Sequence, residues 1–350
     1  MPSLPASQIF RDEMSFFKFM GVILLTYYAI MDIILYVTFM KTDLVASSQA
    51  SNKGELFSPF THLSVKALMN DHTSQYITGP AVEYFDTFSH FSTVFYFITP
   101  NMISFFHLFL AFISARFVAS EDLHTRRLGV VLFEIRTFLD ALDGVVYRSH
   151  SNTKGIYQSV RSSLGYYVDI TCDGFGGVFL MLGVLFYLFR RFDPTKQSQT
   201  EASWKSVEAG TAGKNGVNGL NGGGANHVTS YSKKMLFWKC WCYGITIALG
   251  GKFWDAVVGD FKDLFQQPMT DPNLSALQFD TAHAGTTVFI MWVWRLFEGQ
   301  ALLQYVLVAI FIDKIWEFLN FVQYLMFVVV FGLYILSHLY IRHVRTMLHV

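Results

Sequence analysis

The chemistry this sequence can offer rests on four aspartates. Asp140 and Asp143 stand three apart in FLDALDGVVYR, and Asp169 and Asp173 four apart in GYYVDITCDG, so on helices each pair shares one face. Both segments otherwise read as membrane spans. An aspartate at the centre of such a span costs about 2.5–3.5 kcal/mol unless a cation or a partner compensates it. Two acidic faces that meet can hold two divalent ions, and ligation by carboxylates suits magnesium or manganese rather than zinc. Gly144 and Gly165 fall on the same faces, four residues after Asp140 and four before Asp169, where a missing side chain lets a bulky ligand approach. No His/Cys cluster with metal-ligand spacing competes with these acids. The plainer reading is that they pair with Arg136, Arg148 or Arg161 to hold helices together, but four acids against few nearby bases leave negative charge over.

The order Asp140-x-x-Asp143-Gly144-x-x-x-Arg148, followed by Gly165-x-x-x-Asp169-x-x-x-Asp173, resembles the signature of the CDP-alcohol phosphotransferases. These are membrane enzymes that move a phospho-alcohol from a CDP carrier to a lipid hydroxyl. Thr99-Pro100-Asn101, opening the preceding span, also looks like that family's first core helix, and the resemblance covers residues 99–340. It implies Asp140, Asp143, Asp169 and Asp173 as ligands for two divalent ions, Mn2+ or Mg2+, with Asp173 also the general base. It implies Gly144, Arg148 and Gly165 as contacts for the CDP moiety. Two departures set the chain apart from the ordinary phospholipid branch: Tyr147 replaces the usual alanine before the arginine, and sixteen residues, a longer gap than usual, separate Arg148 from Gly165. Tyr147, His150, His283 and Asn101 are further candidates near the motif face. Tyr147, Tyr166, Tyr167 and Trp254 are aromatic candidates for an ammonium head group, although each also suits an ordinary membrane interface.

The elements that must position these residues are helices. Of 350 residues, 52% are hydrophobic, 15% are charged and 36 are phenylalanine, which describes a polytopic membrane protein. The formal net charge of zero gives no electrostatic case for a nucleic-acid partner. Cys172, Cys240 and Cys242 lie in expected spans and build no disulfide framework. Apolar runs of about 20 residues place spans near 15–39, 102–119, 128–147, 166–189, 235–250, 286–312 and 315–339. The expected fold is therefore all-α, a six-helix core with one added N-terminal helix, about seven transmembrane helices in all. Residues 1–98 read as an anchor helix and a luminal loop, 99–340 as the core and 341–350 as a tail. The Gly/Asn/Ser-rich stretch 192–233 reads as a flexible cytosolic loop, and 40–98, with Phe57, Phe60, Tyr76, Tyr84, Phe85 and Phe88, as a short ordered cap.

One crossing added before a six-helix core turns that core over, so the aspartate face is expected in the lumen. Arg126 and Arg127, and then Arg190, Arg191, Lys196, Lys205, Lys214, Lys233 and Lys234, fall in loops on the opposite side, as the positive-inside rule asks of the cytosolic face, whereas Arg342 and Arg345 fall on the luminal side if there are seven spans. The sequon Asn273-Leu274-Ser275 falls on the motif side. Turned core, atypical spacing and added helix together resemble the ceramide-using branch of the family. That resemblance implies a Golgi enzyme taking phosphoethanolamine from CDP-ethanolamine to the primary hydroxyl of ceramide, with manganese available, CMP released and a homodimer formed. The alternatives are a choline or ethanolamine phosphotransferase acting on diacylglycerol, a non-catalytic relative, and a cation channel or transporter with an acidic pathway.

Overall fold

The computed structural model describes residues 6–49, 57–150, 164–193 and 231–349. Arg161, Lys196, Lys205, Lys214, the side chain of Tyr166 and nearly all of the expected 192–233 loop lie outside the described residues. The described residues form α-helices and one π-helical turn, with no strand among them. The long first helix is α1 (Ala6–Phe39); α2 (Leu44–Gln49), α3 (Val65–Met69), the π turn Ser74–Thr78, α4 (Gly79–Ser89) and α5 (Phe91–Val94) form a cap. Then come α6 (Pro100–Val118), α7 (Leu123–His150), α8 (Leu164–Arg191), α9 (Lys233–Phe265), α10 (Pro272–Ala282), α11 (Gly285–Phe297), α12 (Gly299–Phe311) and α13 (Ile315–Leu348). Thr99 starts α6 by accepting the Met102 N–H in its side chain, with Pro100 in the first turn where no amide donor is needed.

Among the described residues, four stretches are long and apolar enough to cross a membrane: Ser15–Phe39, Pro100–Val118, Tyr167–Arg191 and Ile315–Leu348. The expected single span at 286–312 is corrected. It is two 13-residue helices, α11 and α12, joined at Glu298, whose extended backbone (φ −71°, ψ 164°) ends the first and precedes the second. Each is about 20 Å long, short of the roughly 30 Å of a hydrocarbon core, so only the pair end to end can cross. α9 and α13 also run past the apolar stretches at 235–250 and 315–339, to Phe265 and Leu348.

Ion pairs identify the two ends of the bundle. At one end Arg127 meets Glu13 at 2.5 Å, Arg126 meets Asp313 at 2.6 Å, and Arg191 meets the same aspartate at 3.4 Å. At the other end lies the cap, and there Arg345 of α13 meets Asp260 of α9 at 2.8 Å. Between these ends the described chain passes seven times, as α1, α6, α7, α8, α9, the α11/α12 pair and α13. α6 packs closely on both α7 and α8. Small residues permit this: a Cβ on Gly183 would stand 2.6 Å from the Ala115 carbonyl oxygen, and Ser114 Oγ donates to the Gly129 carbonyl at 2.8 Å. α1 is tied on by Asp32, which accepts from Tyr76 Oη at 2.7 Å and Trp292 Nε1 at 2.9 Å, meets His72 at 2.9 Å, and faces the fully buried Arg295 at 3.3 Å.

Candidate metal centre and substrate cavity

A cavity of about 750 Å³ lies between the cap and the cap-side ends of the core helices. Every motif residue reaches it. Asp140, Asp143, Gly144 and Arg148 come from the last turns of α7, and Gly165, Asp169 and Asp173 from the first turns of α8. Asn101 and Tyr147 also line it. A Cβ on Gly144 would lie 3.5 Å from Arg148 Nη1, and one on Gly165 3.5 Å from Asn101 Oδ1, so both glycines leave the space beside these polar groups open.

The donor set that converges is His107, Asp140, Asp143 and Asp169, one ligand atom from each lying within 4.8 Å of the others. Donors about 2.0–2.4 Å from one cation lie roughly 3–4.8 Å apart, so these four fit a divalent ion. His107 Nε2 is 3.7 Å from Asp140 Oδ1 and 3.8 Å from Asp143 Oδ2. The ring is fully buried and neither nitrogen has a hydrogen-bond partner; Asp169 Oδ1 is likewise buried without one. Orphaned acceptors crowded together are the arrangement a bound cation would satisfy. Ser104 Oγ, one turn before His107, donates to Asp143 Oδ2 at 2.8 Å and so orients that carboxylate.

Asp173 shares the cavity, but its carboxylate is taken by Arg136, which also stands 3.6 Å from Asp140. Arg136 is 1% exposed, so one buried guanidinium joins the ligand set to Asp173. Arg148 Nη2 donates to Glu83 Oε1 of α4 at 2.5 Å, which fastens the cap to the motif.

Other sequence candidates are not brought to the centre. His283 stacks on Phe39 with ring centroids 4.5 Å apart and faces the Phe39 and Phe279 carbonyl oxygens, at the junction of α1 and α10 away from the cavity. His150 faces the Ser92 carbonyl at 3.2 Å and fastens α5, and Tyr167 is an exposed residue outside the cavity lining. Trp254 does line it, with Nε1 donating to the Met69 carbonyl at 2.9 Å. Sequence reasoning missed His107 and Lys66, a cap residue that also lines the cavity. The signal for His107 was there: a titratable side chain inside the apolar run of α6 is a functional candidate by default.

Helices around an acidic cavity, with a buried imidazole beside its aspartates, define a multi-pass membrane protein with a candidate divalent-cation centre. Comparison with known proteins then places it: the sequence model for ceramide phosphoethanolamine synthase matches residues 52–349, and the chain belongs to that family. Ceramide phosphoethanolamine synthase of Drosophila melanogaster is 36% identical over 267 residues, which cover 76% of this chain and 64% of that protein. The match thus spans a little under two thirds of that relative's length. No solved structure matches the chain.

Proposed function

We propose that this chain transfers phosphoethanolamine from CDP-ethanolamine to the primary hydroxyl of ceramide and releases CMP. The observation that carries this reading is the convergence of Asp140, Asp143 and Asp169 on the cavity wall, with the buried His107 directly behind them, in a member of this family. The acceptor oxygen forms a bond to the β-phosphorus, and the bond from that phosphorus to the bridging oxygen breaks. The hydroxyl proton passes to the Asp173 carboxylate, and CMP leaves with the bridging oxygen. A divalent ion, Mn2+ or Mg2+ and two such ions in the fullest form of the reading, would neutralise the diphosphate and steady the departing charge. The imidazole in the donor set favours manganese over magnesium. Arg136 fixes Asp173 relative to Asp140. Arg148 and Lys66 supply positive charge for the CDP phosphates, with Arg148 exchanging Glu83 for a phosphate oxygen. Gly144, Gly165 and Asn101 leave room for the nucleotide.

We place the protein in the Golgi membrane with the cavity facing the lumen. Arg126 and Arg127 of α7 and Arg191 of α8 lie at the end away from the cavity, which supports that orientation. A homodimer is part of the same reading. The test is CMP release by purified protein with manganese, offering CDP-ethanolamine or CDP-choline against ceramide or diacylglycerol. Release that requires CDP-ethanolamine and ceramide, and that is lost in Asp173→Asn, is the expected result. A preference for diacylglycerol replaces the acceptor, and no release with any pair overturns the enzyme reading.

A further inference from the structure

The same cavity has a second acidic wall, outside the aspartate motif. Asp71, in the turn after α3, and Glu298, at the break between α11 and α12, lie side by side and are 2% and 5% exposed. Asp71 Oδ1 accepts the Ser74 N–H at 2.9 Å, while Asp71 Oδ2 and the buried Gln300 Oε1 have no N–H or O–H to accept from; the Asp71 and Glu298 carboxyl groups are within hydrogen-bond reach of each other, where only a shared proton could join them. All three residues line the cavity, together with Trp254. Glu134 of α7 is a third carboxylate within electrostatic reach of Asp71. Lys66 is a cation that also lines the cavity, within electrostatic reach of Asp255, Glu298 and Asp169 and of the like charge of Arg148.

This wall offers hydrogen-bond acceptors and negative charge together. A hydroxyl or an amide supplies a donor without charge, and a quaternary ammonium supplies charge without a donor. A primary ammonium supplies one charge and three N–H groups. We propose that Asp71, Glu298 and Gln300 form the subsite that holds the primary ammonium of the donor, and that this wall selects ethanolamine over choline. The inference rests on the donor reading given above. A site built to pair with N–H groups rejects a ligand that lacks them, because its buried acceptors are then left unpaired.

The test is equilibrium binding of CDP-ethanolamine, CDP-choline, CMP and Mn2+ to the full chain in detergent, for the wild type, Asp71→Asn and Gln300→Leu. Asp71→Asn keeps the acceptor for Ser74 and places an N–H2 where the orphan oxygen was. It should weaken CDP-ethanolamine roughly tenfold or more, leave CMP and the manganese stoichiometry unchanged, and remove the preference over CDP-choline; Gln300→Leu should do the same to a smaller extent. Undiminished CDP-ethanolamine binding in both variants overturns the subsite. So does a loss of bound manganese from Asp71→Asn with CMP binding intact, since the acids would then hold a metal ion. Should Asp71→Asn lose CMP binding as well, Gln300→Leu decides by the same criterion. A wild type that binds CMP and manganese but never CDP-ethanolamine refutes the donor reading, and the subsite falls with it.

Discussion

At the scale of single residues, the centre depends on groups that burial leaves without partners. The two nitrogens of His107 are the clearest case, because a buried imidazole with nothing to bond is costly unless something else occupies the space between it and the acids. His107→Ala should therefore weaken Mn2+ binding by at least about tenfold, read by electron paramagnetic resonance of bound manganese with no substrate present. Unchanged affinity would remove His107 from the centre. Lys66 gives a pH dependence. Its side chain opens on to the cavity and meets water there, yet protein surrounds that cavity, and this desolvation, aided by the like charge of Arg148, holds the ammonium below the usual lysine range. An arriving diphosphate favours the charged amine, so binding takes up a proton wherever Lys66 is partly neutral. The affinity for CDP should accordingly fall as the pH rises through the lowered pKa, at a pH below about 10.4, and Lys66→Met should flatten the profile. The spacing of Asp140 with Asp143, and of Asp169 with Asp173, was legible in the sequence because helical neighbours are a local property. Pairing with Arg136 was one of the readings the sequence offered, but that Asp173 takes it depends on how α7 and α8 meet.

At the scale of elements, close helix contact and buried ion pairs hold the site's walls in place. Gly183 lets α8 press on the Ala115 backbone of α6, and any larger side chain there must push the two helices apart. Gly183→Val should cost about 1–3 kcal/mol, measured by thermal unfolding in detergent, and should loosen the donor set that spans α6, α7 and α8. Asp32→Ala removes the carboxylate that faces the fully buried Arg295, leaving it the Ala67 and Leu68 carbonyl oxygens at 3.5 Å as hydrogen-bond acceptors. It should cost about 3–5 kcal/mol and free the first helix, which a protease cutting after α1 would report. The apolar run at 286–312 read as one helix because hydropathy counts length and composition, while the break at Glu298 is a backbone matter. That break carries the Glu298 carboxylate to the cavity wall.

At the scale of the whole molecule, seven passes put the cavity at one end and Arg126, Arg127 and Arg191 at the other. Asn273 is exposed near the start of α10, on the cavity side. If that side is luminal, the protein made in cells carries a glycan there: digestion with a glycosidase should lower its apparent mass, and Asn273→Gln should abolish the shift. The sequence by itself determined the all-helical membrane class, the acidic motif and the direction of charge asymmetry, because run length, helical spacing and loop composition are all local along the chain. Only the tertiary structure decided which groups share a cavity. It brought His107 to the aspartates and Asp71 to Glu298, turned Asp173 toward Arg136, and left His283 stacked on Phe39. Those outcomes depend on packing between segments distant in sequence, where burial and cross-helix distance decide which polar groups remain unpaired and thus open to a ligand.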